Sequence, residues 1–273
     1  MAHRHRIYAR KEQALSYHSR YLLAMVDSKP PFIRAYKPED YDFIVNIVTL
    51  SPPLLVDILL TTGLHKCELT AHHTLSNVVK LVPYLYAHPY LRLEPEHIWV
   101  LDVPSKDGIG RDVTGYILSV ADTRRFVQRY ATEYMPLLEP DGELPLPPEL
   151  HNQPAASGLR TGAKNAGRLL VLPEELLERY PAHLHVDIVE PWQGKGWGPK
   201  LMVEMESQLA QEGVKGVHLG AAADNTRAVS FYKRIGFEEI TERVGTAGVG
   251  GRWFCRAVSK QRLNCFVLGS VRS

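Results

Sequence analysis

Residues 183–213 read HLHVDIVEPWQGKGWGPKLMVEMESQLAQEG, and this run leaves few folds open. Its first part alternates. Leu184, Val186 and Ile188 fall on one face of a strand, and His183, His185 and Asp187 fall on the other. Glycines follow at 194, 196 and 198. Then Leu201, Met205 and Leu209 recur at helical spacing, with Gly213 placed to end the helix. The order is strand, glycine loop, helix. A helix start presents unpaired backbone N–H groups and the positive end of the helix dipole. Glycines let the backbone approach an anion closely. Gly194-Lys195-Gly196-Trp197-Gly198 therefore has the makings of a pyrophosphate cradle, with Lys195 either an added cation or a solvent-facing side chain. A glycine-rich turn with no ligand has the same local sequence, so the loop alone does not decide between the two.

The bulk chemistry narrows the setting. The chain has 273 residues, 45% hydrophobic and 23% charged, as expected of a globular protein with a substantial core. A net charge of +2 gives no strong field toward nucleic acid or a membrane surface. The basic start, MAHRHRIYAR, reads as a solvated terminus. Cys67, Cys255 and Cys265 are odd in number and form no CxxC pair, which suits a reducing compartment. No secretory signal and no apolar run of about 18 residues is visible, so a cytoplasmic or nuclear protein is expected. His65, His72, His73 and His88 lack acids or cysteines at ligand spacing, and neighbours His72 and His73 point about 100° apart on a helix. No metal is expected.

Along the chain, residues 8–26 read as a helix that packs on the core or on a partner, and a homodimer is one form that pairing takes. A strand is expected at 32–36, then a helix that starts around Pro38 and runs to Leu50. Residues 54–60 suit a short buried helix and 74–87 a second, interrupted near Pro83. Strands return at 97–103 and 113–120, joined by the polar loop PSKDGIGRD. A helix is expected over 123–138, a loop over 139–168 and a short helix at 173–177. Residues 214–223 read as a strand. Asn225 is a helix-cap candidate for 226–235, Gly236 stops that helix, and Phe237 opens another strand.

With both blocks in view, the sequence resembles a known family. Gln193-x-x-Gly196-x-Gly198 is similar to the Q/R-x-x-G-x-G/A signature of the Gcn5-related N-acetyltransferases (GNAT), and Asn225…Ala228…Phe231-Tyr232…Gly236-Phe237 is similar to their second cofactor-binding block. The two blocks cover about 55 residues, and the likeness extends from Phe32 to about Val258. The resemblance implies an α/β (α+β) fold: a mixed, mostly antiparallel sheet splayed at the cofactor site, with helices on both faces. It implies a domain at 31–260 with insertions at about 51–93 and 139–168, an N-terminal helical extension at 1–30 and a tail at 261–273. A narrower likeness, carried by IRAYKPEDYDFI, YLRLEPEHIWV, GYILSVADTRRF and YPAHLHVDIVEPWQGKGWG, is to the acetyltransferase-like domain of O-GlcNAc hydrolases and its free-standing microbial relatives. Glu190-Pro191 inverts the order usual there.

The resemblance also implies a chemistry: direct acetyl transfer from acetyl-CoA to a primary amine, in a small molecule or at a lysine or N-terminus, through a tetrahedral intermediate. Ile188 and Val189 would bind the pantetheine arm through their backbone, and Gln193, Gly194, Lys195, Gly196, Trp197 and Gly198 the pyrophosphate. Asn225 and Ala228 would contact the cofactor, and Tyr232 would protonate the leaving thiolate. Asp187 and His185 are the candidates for the base, with a structural polar role as the alternative. Asp122 and Arg124 read as a helix cap and a solvated side chain, or as lining of an acceptor pocket. A non-catalytic acetyl-CoA-binding module remains the alternative function.

Overall fold

The computed structural model describes residues 29–50, 79–150, 156–245 and 251–258. The expected helix at 8–26, the segment 54–60, His65, His72, His73 and the tail lie outside these residues.

The described elements, in chain order, begin with β1 (Phe32–Ala35), α1 (Tyr41–Leu50), α2 (Val82–Tyr86) and α3 (His88–Leu93). Next come β2 (Ile98–Pro104), β3 (Arg111–Val120), α4 (Thr123–Arg129), α5 (Ser157–Ala163) and α6 (Glu174–Arg179). The cofactor-like region contains β4 (Ala182–Ile188), α7 (Trp197–Gln211), β5 (Gly216–Ala222) and α8 (Thr226–Arg234). β6 (Glu238–Glu239), α9 (Thr241–Val244) and β7 (Gly251–Ala257) complete the set. Among the described residues the strands form one sheet in the order β1-β2-β3-β4-β5-β7-β6. Every neighbouring pair is antiparallel except β4 with β5.

Helices cover both faces. Ile44 and Val48 of α1, Leu85, Tyr90 and Phe126 pack with Val100, Tyr116, Leu118 and Val120 on one side. On the other, Leu201, Met205 and Leu209 of α7 and Val229 of α8 pack with Leu101, Ile117, Leu184 and Ile188. The alternation in β4 decides this partition: its apolar residues face α7 and its polar ones face the opposite layer. At the sheet edge, Arg34 of β1 donates to Asp40 and Asp102 at 2.6 Å each, and Arg111 also pairs with Asp102. These contacts hold β1 and β3 on either side of β2.

Two expectations change. The stretch 139–168, expected as loop, contains α5, whose Leu159 and Ala163 are buried four residues apart. Its glycine and serine content reads as loop, and burial against Leu85 overrides that propensity. The helix expected at 123–138 is α-helical only to Arg129, then turns through a π segment at Tyr130–Tyr134 and a 3-10 segment at Met135–Leu138. Pro136 cannot donate to continue it, and the Tyr130 and Tyr134 hydroxyls bond to carbonyls of Ala163 and Tyr84, both at 2.9 Å. Helices α3 and α9 and strand β7 have no counterpart among the expected elements.

Candidate active site

Strands β4 and β5 run parallel, yet they pair only at Ala182 with Val217 and His183 with His218. Beyond that point each keeps its outer partner. Leu184 to Ile188 stay on β3, and Leu219 to Ala222 stay on β7. The sheet therefore opens between the C-terminal ends of β4 and β5. In a strand the N–H and C=O of one residue point to one edge, and the next residue's to the other. The Val189 N–H donates to Thr114 O at 2.9 Å on the β3 side, so Ile188 and Val186 face the opening. Val189, expected to share that edge with Ile188, also spends its carbonyl on Trp192 N–H at 2.9 Å. Ile188 instead meets side chains: its N–H donates to Asp187 Oδ1 at 2.8 Å, and its carbonyl accepts from Gln193 Nε2 at 2.5 Å. Side chains of this kind swing aside for a ligand; ladder hydrogen bonds do not.

The glycine loop follows directly. Gly194 has φ 73° and Gly196 φ 81°, in the left-handed region that side chains resist. Gly196 is the cap of α7, and no side chain bonds to the helix start there. The position of Gly198 favours a small residue for a different reason. A Cβ there would lie 3.0 Å from the Phe231 ring of α8. The two helices meet at this glycine. Lys195 Nζ lies 5.1 Å from the centre of the Trp192 ring and Lys200 Nζ 4.3 Å from that of Trp197, so two cations flank the helix start. The sequence reading missed Lys200, since one turn into a helix it reads as a solvated side chain.

On α8, the Asn225 side chain accepts from Ala228 N–H at 3.0 Å and so caps the helix. Tyr232 is buried among Phe231, Phe237 and Phe254. Burial, with the Asp187 carboxylate adding to it, pushes its phenol pKa up. Tyr116 shows the same shift from burial, Asp187 and Tyr232. Tyr116 sits directly opposite Asp187 in the β3–β4 register. Tyr232, Asp187 and Tyr116 thus come together from three elements. Tyr116 was not singled out from sequence; its alternation with Leu118 and Val120 was visible, but the register that sets it beside Asp187 was not.

His185 belongs to a directional hydrogen-bond chain. The Thr123 hydroxyl donates to Pro181 O at 2.7 Å, so it accepts from His183 Nδ1–H at 2.8 Å. His183 Nε2 is then bare and accepts from the Tyr90 hydroxyl at 2.9 Å. The Tyr90 oxygen in turn accepts from His185 Nε2–H at 3.0 Å. Each proton has one place to go, and the chain leaves His185 Nδ1 with a lone pair. Burial, with the Arg168 guanidinium adding to it, lowers the His185 pKa to about 3, so the imidazole is neutral. Asp122 and Arg124 lie elsewhere in role. Asp122 Oδ1 accepts from Arg125 N–H at 3.0 Å and caps α4, while Arg124 pairs with Glu174 at 2.5 Å.

A family model described as an acetyltransferase (GNAT) domain matches residues 176–251, which hold β4, the glycine loop, α7, β5 and α8. The solved structure of SsHAT is 31% identical, with a TM-score of 0.62, over 85% of this chain and 100% of that one. The chain belongs to the GNAT acetyltransferase family. Its fold is the GNAT fold, and its activity class is acyl transfer. Ard1 from Thermoplasma volcanium is similar at 16% identity and a TM-score of 0.41, over 85% of this chain and 100% of that one. A polyamine N-acetyltransferase from Drosophila melanogaster is similar at 13% and 0.43, over 83% and 99%. Among the described residues, no helix of this GNAT protein is long and apolar enough to cross a membrane.

Proposed function

We propose that residues 31–260 form an acetyl-CoA-dependent N-acetyltransferase that moves the acetyl group directly to a primary amine. The observation that carries this reading is the opening between β4 and β5, which stops their pairing after two residue pairs and aims the Ile188 backbone into the gap. The pantetheine arm is itself an amide chain, so it can take up the Ile188 N–H and carbonyl in place of Asp187 and Gln193. Gly194 to Gly198 and the start of α7 hold the pyrophosphate, with Lys195 and Lys200 supplying charge. Asn225 stands by at the start of α8.

Transfer forms a C–N bond and breaks the C–S bond, while one proton leaves the amine and one reaches the sulfur. Asp187 draws the ammonium to the polar face of β4, where it first releases one proton to solvent and becomes the neutral amine that attacks. His185 Nδ1 takes the amine proton, and its tautomer is set by Tyr90, His183 and Thr123. Tyr232, held protonated by its surroundings, gives its proton to the departing thiolate. Solvent restores both groups. Fixed geometry across the opening supplies the rest of the rate.

Calorimetry with acetyl-CoA, followed by thiol release on adding amines, tests the reading. Micromolar binding with amine-dependent thiol release supports it. Binding without release for any amine would leave an acyl-CoA-binding module instead, and absence of binding would remove the cofactor assignment.

A further inference from the structure

Arg168 lies on the 3-10 turn Ala166–Leu169, and among the described residues its charge meets no carboxylate. Its Nη2 donates to Leu85 O at 2.7 Å, and the Tyr130 hydroxyl is a further hydrogen-bond partner. Its Nε is buried and finds no hydrogen-bond partner among the described residues. A guanidinium carries five donors in a planar fork, and a sequestered cation without an anion is costly. Among the described residues Arg168 is therefore under-satisfied. A carboxylate or a similar oxyanion fits a guanidinium in two parallel hydrogen bonds.

Its position links it to the reacting groups. The Arg168 guanidinium lies 5.4 Å from the centre of the Tyr86 ring, and that ring lies 5.5 Å from the His185 ring, edge to face. Arg168 and His185 thus flank one aromatic side chain. His185 shares its strand face with Asp187, two residues nearer the opening, a step of roughly 6.6 Å along a strand.

We propose that Arg168 is the anion anchor of the acceptor site, and that the acceptor is a primary amine carrying a carboxylate or another small oxyanion. The oxyanion sits on the guanidinium, and the amine points toward Asp187 and the opening between β4 and β5. This rests on the transfer reading above. The arrangement has a chemical advantage. A bound oxyanion offsets the positive charge that helps hold the His185 imidazole down. Nδ1 becomes a better proton acceptor once the acceptor is in place.

The test uses the full chain and two readouts, saturation-transfer NMR for binding and initial rates of acetyl transfer. The probes are ω-amino acids from glycine to 6-aminohexanoate, with 4-aminobutanamide, butylamine and 3-aminopropylphosphonate. At least one amino acid is expected to bind and react at least tenfold better than the amide and butylamine, as a charge-assisted contact requires. The phosphonate shows whether carboxylate or phosphorus oxyanions are preferred. Arg168→Met is expected to cost tenfold or more in kcat/KM for the acids, mainly through KM, while the KM of butylamine and the affinity for acetyl-CoA stay near wild type. Arg168→Lys keeps the charge, loses the fork and falls between, and it serves alone if the Met variant does not fold. Equal binding of acid and amide overturns the proposal. So does an equal loss for every amine in Arg168→Met, or acid binding in Arg168→Lys indistinguishable from wild type. If no amine is acetylated, the transfer reading fails by itself. Acid-selective binding that Arg168→Met abolishes still supports the anchor, and its absence overturns it.

Discussion

The Tyr90 hydroxyl lies 2.9 Å from His183 Nε2, and that nitrogen can only accept, because the one proton of neutral His183 is on Nδ1 and given to Thr123. Tyr90→Phe removes the donor and leaves a buried imidazole nitrogen without a partner, at a cost of about 1–3 kcal/mol. It also frees His185 to change tautomer. Urea unfolding should show the stability loss, and turnover should fall while acetyl-CoA affinity holds. Unchanged turnover would remove the hydrogen-bond chain from the mechanism.

Tyr232→Phe keeps the ring among Phe231, Phe237 and Phe254 and removes the proton. Loss of a general acid lowers turnover by roughly 100-fold. Affinity for acetyl-CoA, measured by calorimetry, should stay near wild type. Turnover that survives intact would rule out the acid role.

Gly196→Val and Gly198→Leu should both abolish acetyl-CoA binding, for different reasons. Valine at 196 must adopt a left-handed φ that costs about 1–2 kcal/mol, and it also caps the helix start with a methyl surface. Leucine at 198 drives into Phe231 and separates α7 from α8. Only the second should disturb the near-ultraviolet signal of the aromatic cluster around Tyr232. Undiminished calorimetric binding in Gly196→Val would move the pyrophosphate site elsewhere.

Buried histidines should govern acid stability. Burial lowers His88 and His218 to about 4 and His185 to about 3, and holds His183 well below its ordinary value. Their folded values lie beneath the unfolded value of about 6.5, so the unfolded chain takes up protons first. Stability is full above pH about 6.5 and is lost as pH falls toward 4. Urea midpoints between pH 7 and 4.5 should show this slope. His218→Gln should flatten it, and an unaltered slope would contradict the assignment.

His97 has the opposite sign. Burial pulls it down, but hydrogen bonds to Glu94 and Glu212 outweigh this and raise its pKa to about 9. Its contribution is full below pH about 6.5 and disappears as pH rises through 9. His97→Gln should therefore destabilise the protein more at pH 6 than at pH 10. Equal losses at both pH values would mean that the ion pairs add nothing.

Local chemistry was legible where one segment carries the whole signal. The alternation of Leu184, Val186 and Ile188 against His183, His185 and Asp187 specified both faces of β4 before any partner was known. The left-handed glycines and the helix after them are likewise properties of a short stretch. Helix α5 was not legible, because SGLRTGA has weak helical propensity and is held by what it packs on. Strand β7 escaped for a similar reason. Its residues become a strand by lying between β5 and β6.

The sequence by itself determined the strand, glycine loop and helix at 182–211, and the capped helix that carries Tyr232, because these depend on backbone preferences and side-chain period within one segment. Only the tertiary structure decided where β4 and β5 part. The same fold set Tyr116 opposite Asp187, spent Val189 on β3 and carried Arg168 to the Tyr86 ring beside His185. Those relations depend on register and packing between segments far apart in the chain, and no local period encodes them.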